Sequence, residues 1–348
     1  MNISKEKIRK AIVNMIHDKI TPGVVFLVSI KDQIIFYEAF GTTNYQDKGT
    51  KLVTNDTIYD IASVTKIVTA TAILMLLDKK SISIEDKLAK FFPACSYGDK
   101  ITIRHLLTHT SGISVQMSKL AKLSTPQLIH QAILNAPISS QPGAQVMFTN
   151  ANSYLLGKII ETASKEPFSN FLQKELLQPL NMYNTLFCPP KQLWSKIAPT
   201  EITLERGLIQ GKVHDESAFA LGGSVGHAGL FSTAADLNNF CRLWLHGGVF
   251  DSHRMFSESL AQVAVKNQVS DDQPETGFGW MLNRGWMGKF GALSFGHTAF
   301  TGPSIIITPD HKMSAVLMTN RTYPHRGNAD RHVYQEKIMD ALFEAMIN

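Results

Sequence analysis

The chain has 348 residues, 44% of them hydrophobic, enough to bury a substantial core in one large globular domain or two of ordinary size. Its formal charge of +5 comes from 34 basic and 29 acidic side chains scattered without a run of like charge, which argues against nucleic acid as a partner. No apolar stretch reaches the roughly 18 to 20 residues of a membrane span, and the odd, widely spaced cysteines Cys95, Cys188 and Cys241 argue against a disulfide framework and a four-ligand zinc site.

In chain order, the N-terminal MNISKEKIRKAIVNMIHDKI repeats apolar residues at Ile8, Ile12, Met15 and Ile16 between charges, which is helix periodicity. A signal peptide would show an uninterrupted apolar core instead, so the cytoplasm is the expected compartment. The β-rich runs VVFLVSI (24–30) and QIIFYEAF (33–40) are separated only by Lys31-Asp32, which predicts a hairpin. From about residue 61 to 186 the pattern turns helical, with amphipathic runs at 64–77, 126–134, 153–163 and 168–177. Strand character returns at 293–300, 304–310 and 314–320, and a closing helix is predicted over 329–346. Strands near both ends with helices between them predict an α+β domain whose sheet is completed by both termini. One part would be an α/β subdomain (about 1–60 and 200–348), the other a mostly helical subdomain (about 61–199). No repeat or low-complexity segment interrupts it, and 268–277 reads as a polar loop.

The chemistry begins at YDIASVTKIVTA, where Ser63 and Lys66 are spaced i and i+3 and share one helix face. A serine hydroxyl needs a base to become a nucleophile, and a buried lysine with its pKa lowered to roughly 7 to 8 can be that base. Ser4 and Lys7 have the same spacing amid charge, where a helix start explains them. Only around Ser63 are the flanks apolar. In PGAQVMFTNANSYLLG, Pro142-Gly143 makes a turn and Asn150 caps or precedes a helix. In SFGHTAFTG, His297 lies in a strand between Gly296 and Gly302, small residues that would let a substrate approach the backbone.

These three pieces, in this order, resemble the serine β-lactamase and penicillin-binding protein superfamily, in particular its branch of class C β-lactamases, D-alanyl-D-alanine carboxypeptidases and family VIII carboxylesterases. ITIRHLLTHTSGI (101–113), NANSYLLGKIIETAS (150–164) and VHDESAFALGGSVGHAGLFSTAADL (213–237) extend the likeness over nearly the whole chain. The resemblance implies a β-lactamase/transpeptidase-like fold, with an antiparallel sheet flanked by N- and C-terminal helices and an all-α subdomain. It makes Ser63 the acylated nucleophile, Lys66 its activating partner, Asn150 a contact to substrate that holds Lys66, and His297 the third-motif residue. An oxyanion hole would come from the N–H groups of Ser63 and Phe300, with Thr298, Ala299 and His214 in reach of substrate. Two departures stand out. Ala299 occupies a position where glycine is usual, and Phe148 occupies that of a tyrosine, whose ring it should match in packing while lacking the hydroxyl.

Other groupings read as structural. His105 and His109 are spaced i and i+4 like a metal pair, but no glutamate follows His105 as a zinc protease requires, so packing is expected. His214-Asp215-Glu216 falls in a loop that lines the cleft in the family. Gly222, Gly223, Gly226 and Gly229 lack the strand and Lys-Ser context of a phosphate loop and read as a turn near the site. No cofactor or metal is expected. The leading expectation is a hydrolase of small-molecule esters, or a related acyl-transfer enzyme, working through an acyl-enzyme. Amides and β-lactams, cleaved by a D-amino-acid peptidase or β-lactamase, are the alternatives. A catalytically impaired binding protein, or a tyrosine exchanged for Phe148 to trap an acyl intermediate, completes the set.

Overall fold

The computed structural model describes residues 5–45, 50–123, 125–290, 293–327 and 330–347. Ser4, half of the N-terminal Ser/Lys spacing, lies outside them.

The first helix, α1 (Glu6–His17), buries Ile8, Ile12 and Met15, the stripe its periodicity predicts. Strands β1 (Gly23–Ile30) and β2 (Gln33–Gly41) form the expected hairpin. Its turn residues Lys31 and Asp32 both take positive φ, 49° and 63°, which matches the twist of a two-residue hairpin. Near the C-terminus lie β3 (Met281–Leu282), β4 (Phe295–Thr298), β5 (Ser304–Thr308) and β6 (Met313–Thr319). The six strands form one antiparallel sheet in the order β3-β4-β5-β6-β1-β2, so the N-terminal strand pairs with the last one, Val24 opposite Thr319.

Alternation along β1 sorts its side chains between two cores. Val24, Phe26 and Val28 face α1 and the closing helix α7 (Arg331–Ile347), together with Ile338, Met339 and Leu342. Val25 and Leu27 belong to the other core, which continues without a break into the helical insert. That insert holds α2 (Thr65–Asp78), α3 (Ile103–Leu107), α4 (Pro126–Leu134) and α5 (Asn150–Ser164). The predicted run at 168–177 begins as the helix Phe168–Leu172 and finishes as a π turn over Gln173–Leu177. A helix not expected from the sequence, α6 (Ala234–Leu245), packs under the sheet. There Asn238 Oδ1 accepts from Ser29 at 2.9 Å and Ser314 at 2.8 Å, which satisfies two hydroxyls buried in adjacent strands.

Candidate active site

Every residue of α2 from Thr65 to Leu76 is buried, because the helix is apolar on all sides and runs through the core. It carries Lys66 inside with it, at 6% exposure. The Lys66 Nζ donates to Ser63 Oγ at 2.7 Å. Burial pushes the ammonium down to about 8, against the pull of the Asp215 carboxylate.

Ser63 sits in the short 3-10 turn Ala62–Val64 that leads into α2. Ala62 takes a φ of 37°, a conformation its Cβ disfavours. Asp60 secures it. Its Oδ1 accepts the Ala62 N–H at 2.9 Å, its Oδ2 the His214 N–H at 2.7 Å, and its carbonyl the Thr301 hydroxyl at 2.8 Å. Asp60 thus ties the serine turn to the 213–215 loop through its buried carboxylate and to the turn after β4 through its backbone carbonyl. No motif in the sequence marks it for this role.

Asn150 is the first residue of α5; the N-cap is Thr149, whose Oγ1 accepts the Ala151 N–H at 3.3 Å. Asn150 Nδ2 donates to Asp215 Oδ2 at 3.1 Å and, among the described residues, has no hydrogen bond to Lys66. Its link to the lysine therefore runs through Asp215. Burial raises that carboxyl, but His227, Ser217 and the Ala218 N–H outweigh it and hold Asp215 well below the usual carboxylate range. Asp215, drawn from a loop expected to line the cleft, is the counter-charge of Lys66.

His297 lies buried in β4. Its Nδ1 donates to the Thr298 carbonyl at 2.8 Å, and Nε2 is left a buried acceptor with no hydrogen-bond partner among the described residues. Burial, reinforced by the Lys66 charge, lowers its pKa to about 3. The flanking glycines make room for neighbouring strands and side chains. A Cβ on Gly296 would meet the Ile305 carbonyl at 2.2 Å, and one on Gly302, whose φ is 125°, would meet Thr319 Oγ1 at 1.9 Å.

After β4, Ala299 is fully buried and Phe300 is 42% exposed. The N–H groups of Ser63 and Phe300 have no backbone acceptor among the described residues. His214 is buried behind Phe300: its ring stacks on the phenyl at 5.7 Å, and its Nε2 bonds Glu201 Oε2 at 2.7 Å. Its Nε2 and its backbone N–H are thus both engaged within the protein. Thr298 Oγ1 accepts from Arg331 Nη2 at 3.3 Å, while the Arg331 Nε is buried without a partner among the described residues. Arg321 donates to the Phe300 carbonyl at 2.9 Å. Neither Arg321 nor Arg331 forms an ion pair among the described residues, whereas Arg326 nearby is paired with Glu201 and Glu216.

Phe148 is 42% exposed, and its ring lies 4.7 Å from that of His109. Sequence reading set His109 aside with His105 as a packing pair. His105 does close its own helix, its Nδ1 accepting the Thr102 N–H at 3.1 Å. His109 does something else: beyond the end of α3 it turns into a φ of 56° and reaches the neighbourhood of Lys66 and His297, both of which act on it electrostatically. Burial first, then those charges, push it down to about 3.

Comparison with known proteins agrees with this architecture. The profile of the Beta-lactamase family matches residues 8–338. A putative D-alanyl-D-alanine carboxypeptidase of Escherichia coli (strain K12) is 27% identical, the alignment covering 89% of this chain and 80% of that one. Among solved structures, EstCE1, a hydrolase with promiscuous acyltransferase activity, superposes with a TM-score of 0.79 at 19% identity, covering 97% of this chain and 98% of that one. A class C β-lactamase in complex with cefoxitin gives 0.80 at 15%, with the same coverage. The sheet closed by both termini, the helical insert and the match along nearly the whole sequence lead to one conclusion: this chain belongs to the Beta-lactamase family.

Proposed function

We propose that the protein is a serine hydrolase that forms an acyl-enzyme on Ser63, with carboxylic esters as its preferred substrates. The observation that carries this reading is the 2.7 Å bond between Ser63 and a lysine buried enough to lose its proton near pH 8. Neutral Lys66 takes the hydroxyl proton as Ser63 Oγ attacks the carbonyl carbon. The Ser63 and Phe300 N–H groups, free of backbone acceptors, suit the oxyanion that develops. Water then releases the acyl group by the reverse steps. Esters are favoured over amides because an alkoxide departs with less proton assistance than an amine, and position 148 supplies no hydroxyl to give it.

A second reading, a peptidase for D-amino acids, is favoured by Arg331 and Arg321. Two cations that form no ion pair among the described residues, Arg331 against Thr298 and Arg321 against the Phe300 carbonyl, suit a substrate that brings its own carboxylate. Intact-mass spectrometry and turnover on short-chain esters, D-amino-acid amides and a chromogenic cephalosporin test both. An acyl or fluorophosphonate adduct is expected on Ser63 and absent from Ser63→Ala; labelling elsewhere sinks the assignment, and reversible binding without an adduct means a binding protein. For the second reading, a substrate with a free carboxylate should exceed its methyl ester in kcat/KM by about tenfold, the worth of one charged hydrogen bond, and Arg331→Gln should erase that preference.

A further inference from the structure

We propose that His109 supplies the hydrogen-bond donor missing at Phe148, its Nε2–H serving the leaving-group oxygen as the acyl-enzyme forms. The inference rests on the acyl-enzyme reading above. Three observations carry it.

The first is place. The His109 ring lies 4.7 Å from the phenyl ring that stands where the resemblance expects a tyrosine, tilted to it at 37°, and shares its surroundings with Lys66 from α2 and His297 from β4. The second is tautomer. Ser111 Oγ accepts the Ile113 N–H at 3.2 Å, so its own proton goes to Asn152 Oδ1, 2.5 Å away. That turns the Asn152 amide nitrogen, at 3.2 Å, toward His109 Nδ1, which must then accept. The ring proton sits on Nε2, the nitrogen not engaged with α5. The third is charge. Burial and the Lys66 cation keep the imidazole neutral throughout the working range. His297 is neutral too but has the opposite tautomer, with Nε2 an acceptor. One imidazole thus presents a donor and the other an acceptor in the neighbourhood of the same lysine.

The proton balance follows. Ser63 Oγ bonds to the acyl carbon and its proton passes to Lys66, which becomes ammonium. As the tetrahedral species collapses, the C–O bond to the alcohol breaks. The departing oxygen accepts a hydrogen bond from His109 Nε2–H, takes its proton from Lys66 and leaves as the alcohol. His109 keeps its own proton, and Lys66 is neutral again.

The test is a series of acetate esters with leaving groups from p-nitrophenol to ethanol, read as kcat/KM, which reports acylation. His109→Phe should lose about 10- to 100-fold on ethyl acetate, the worth of one hydrogen bond to a charged oxygen, and much less on p-nitrophenyl acetate. Adding Phe148→Tyr to His109→Phe should recover at least about tenfold on the poor leaving group, a larger gain than the same change brings in the wild-type background. An even loss across the series, or the same gain in both backgrounds, would mean that His109 only supports the fold. Fluorophosphonate labelling of Ser63 reports an intact site in each variant. If His109→Phe fails to label, His109→Gln, which retains an N–H donor, carries the comparison: a loss that grows with leaving-group basicity supports the role and an even loss overturns it. Failure of the wild type to label overturns the acyl-enzyme reading and the role of His109 with it, whereas labelling with an even loss overturns the role alone.

Discussion

In the proposed reaction, Lys66 sets the dependence of the rate on pH. Its amine is a base only when neutral, and burial sets the ammonium near 8. His109 and His297, both near 3, are neutral on either side of that value. A plot of kcat/KM against pH for a stable ester should therefore show one rising limb with a midpoint near 8 and level above it, with no inflection between 6 and 7. A limb near 6.5 would assign the base to an imidazole instead. Asp215 sharpens the prediction, since its negative charge favours the ammonium form. Asp215→Asn should move the limb to lower pH. Of these groups, the Ser63–Lys66 pair is legible from spacing and flanking polarity, and Asn150 and His297 only from the family resemblance; the structure brings Lys66 against Ser63, whereas Asn150 reaches the lysine only by way of Asp215. His109 was not legible. Its spacing from His105 suggested a shared helix face, but α3 ends at Leu107 and the φ of 56° at His109 breaks that periodicity. Its ring partner lies far along the chain, where no local pattern reaches.

The turn after β4 and the start of α5 border the site, and each depends on one small local choice. Gly302 combines a φ of 125° with a Cβ position already filled by Thr319 Oγ1. Gly302→Ala should cost about 1 to 3 kcal/mol in chemical denaturation and, by displacing the neighbouring Phe300 N–H, should slow turnover as well. Thr149→Ala removes only the cap of α5, for about 0.5 to 2 kcal/mol, and should leave the Ser63 adduct intact. Both elements are legible in the sequence, the strand from its β-rich pattern at 293–300 and the helix from its amphipathic run at 153–163, though the strand spans only Phe295–Thr298 and the helix starts at Asn150. Glycine beside His297 was read as room for substrate. The sequence shows that a Cβ is missing but not which neighbour occupies the space, here an adjacent carbonyl and a threonine hydroxyl. Likewise His214 sits in the expected loop, yet Glu201 and Phe300 claim it from behind.

Both ends of the protein are structural. The closing helix α7 buries Ile338, Met339 and Leu342 against α1 and the outer face of the sheet. Each such side chain contributes about 1.5 to 3 kcal/mol, so a chain ending before residue 331 should lose stability comparable with the whole of a typical domain's, about 5 to 15 kcal/mol. Circular dichroism melting and sedimentation of that truncated chain check this: an unfolded or aggregated product is expected, and a cooperative melt near that of the full chain would refute it. The sheet completed by both termini was legible because β-rich runs cluster at the two ends. The strand order was not, since pairing is settled by contacts between distant segments.

That pairing also sets an order of events during synthesis. The apolar strand β1 leaves the ribosome roughly 300 residues ahead of β6, against which it lies. An isolated two-stranded hairpin is marginal in water, so β1 and β2 must wait, partly exposed, until the last strands arrive. Interrupted translation would release chains with a sticky unpaired edge, and the nascent protein should depend on chaperones long after its N-terminus is made.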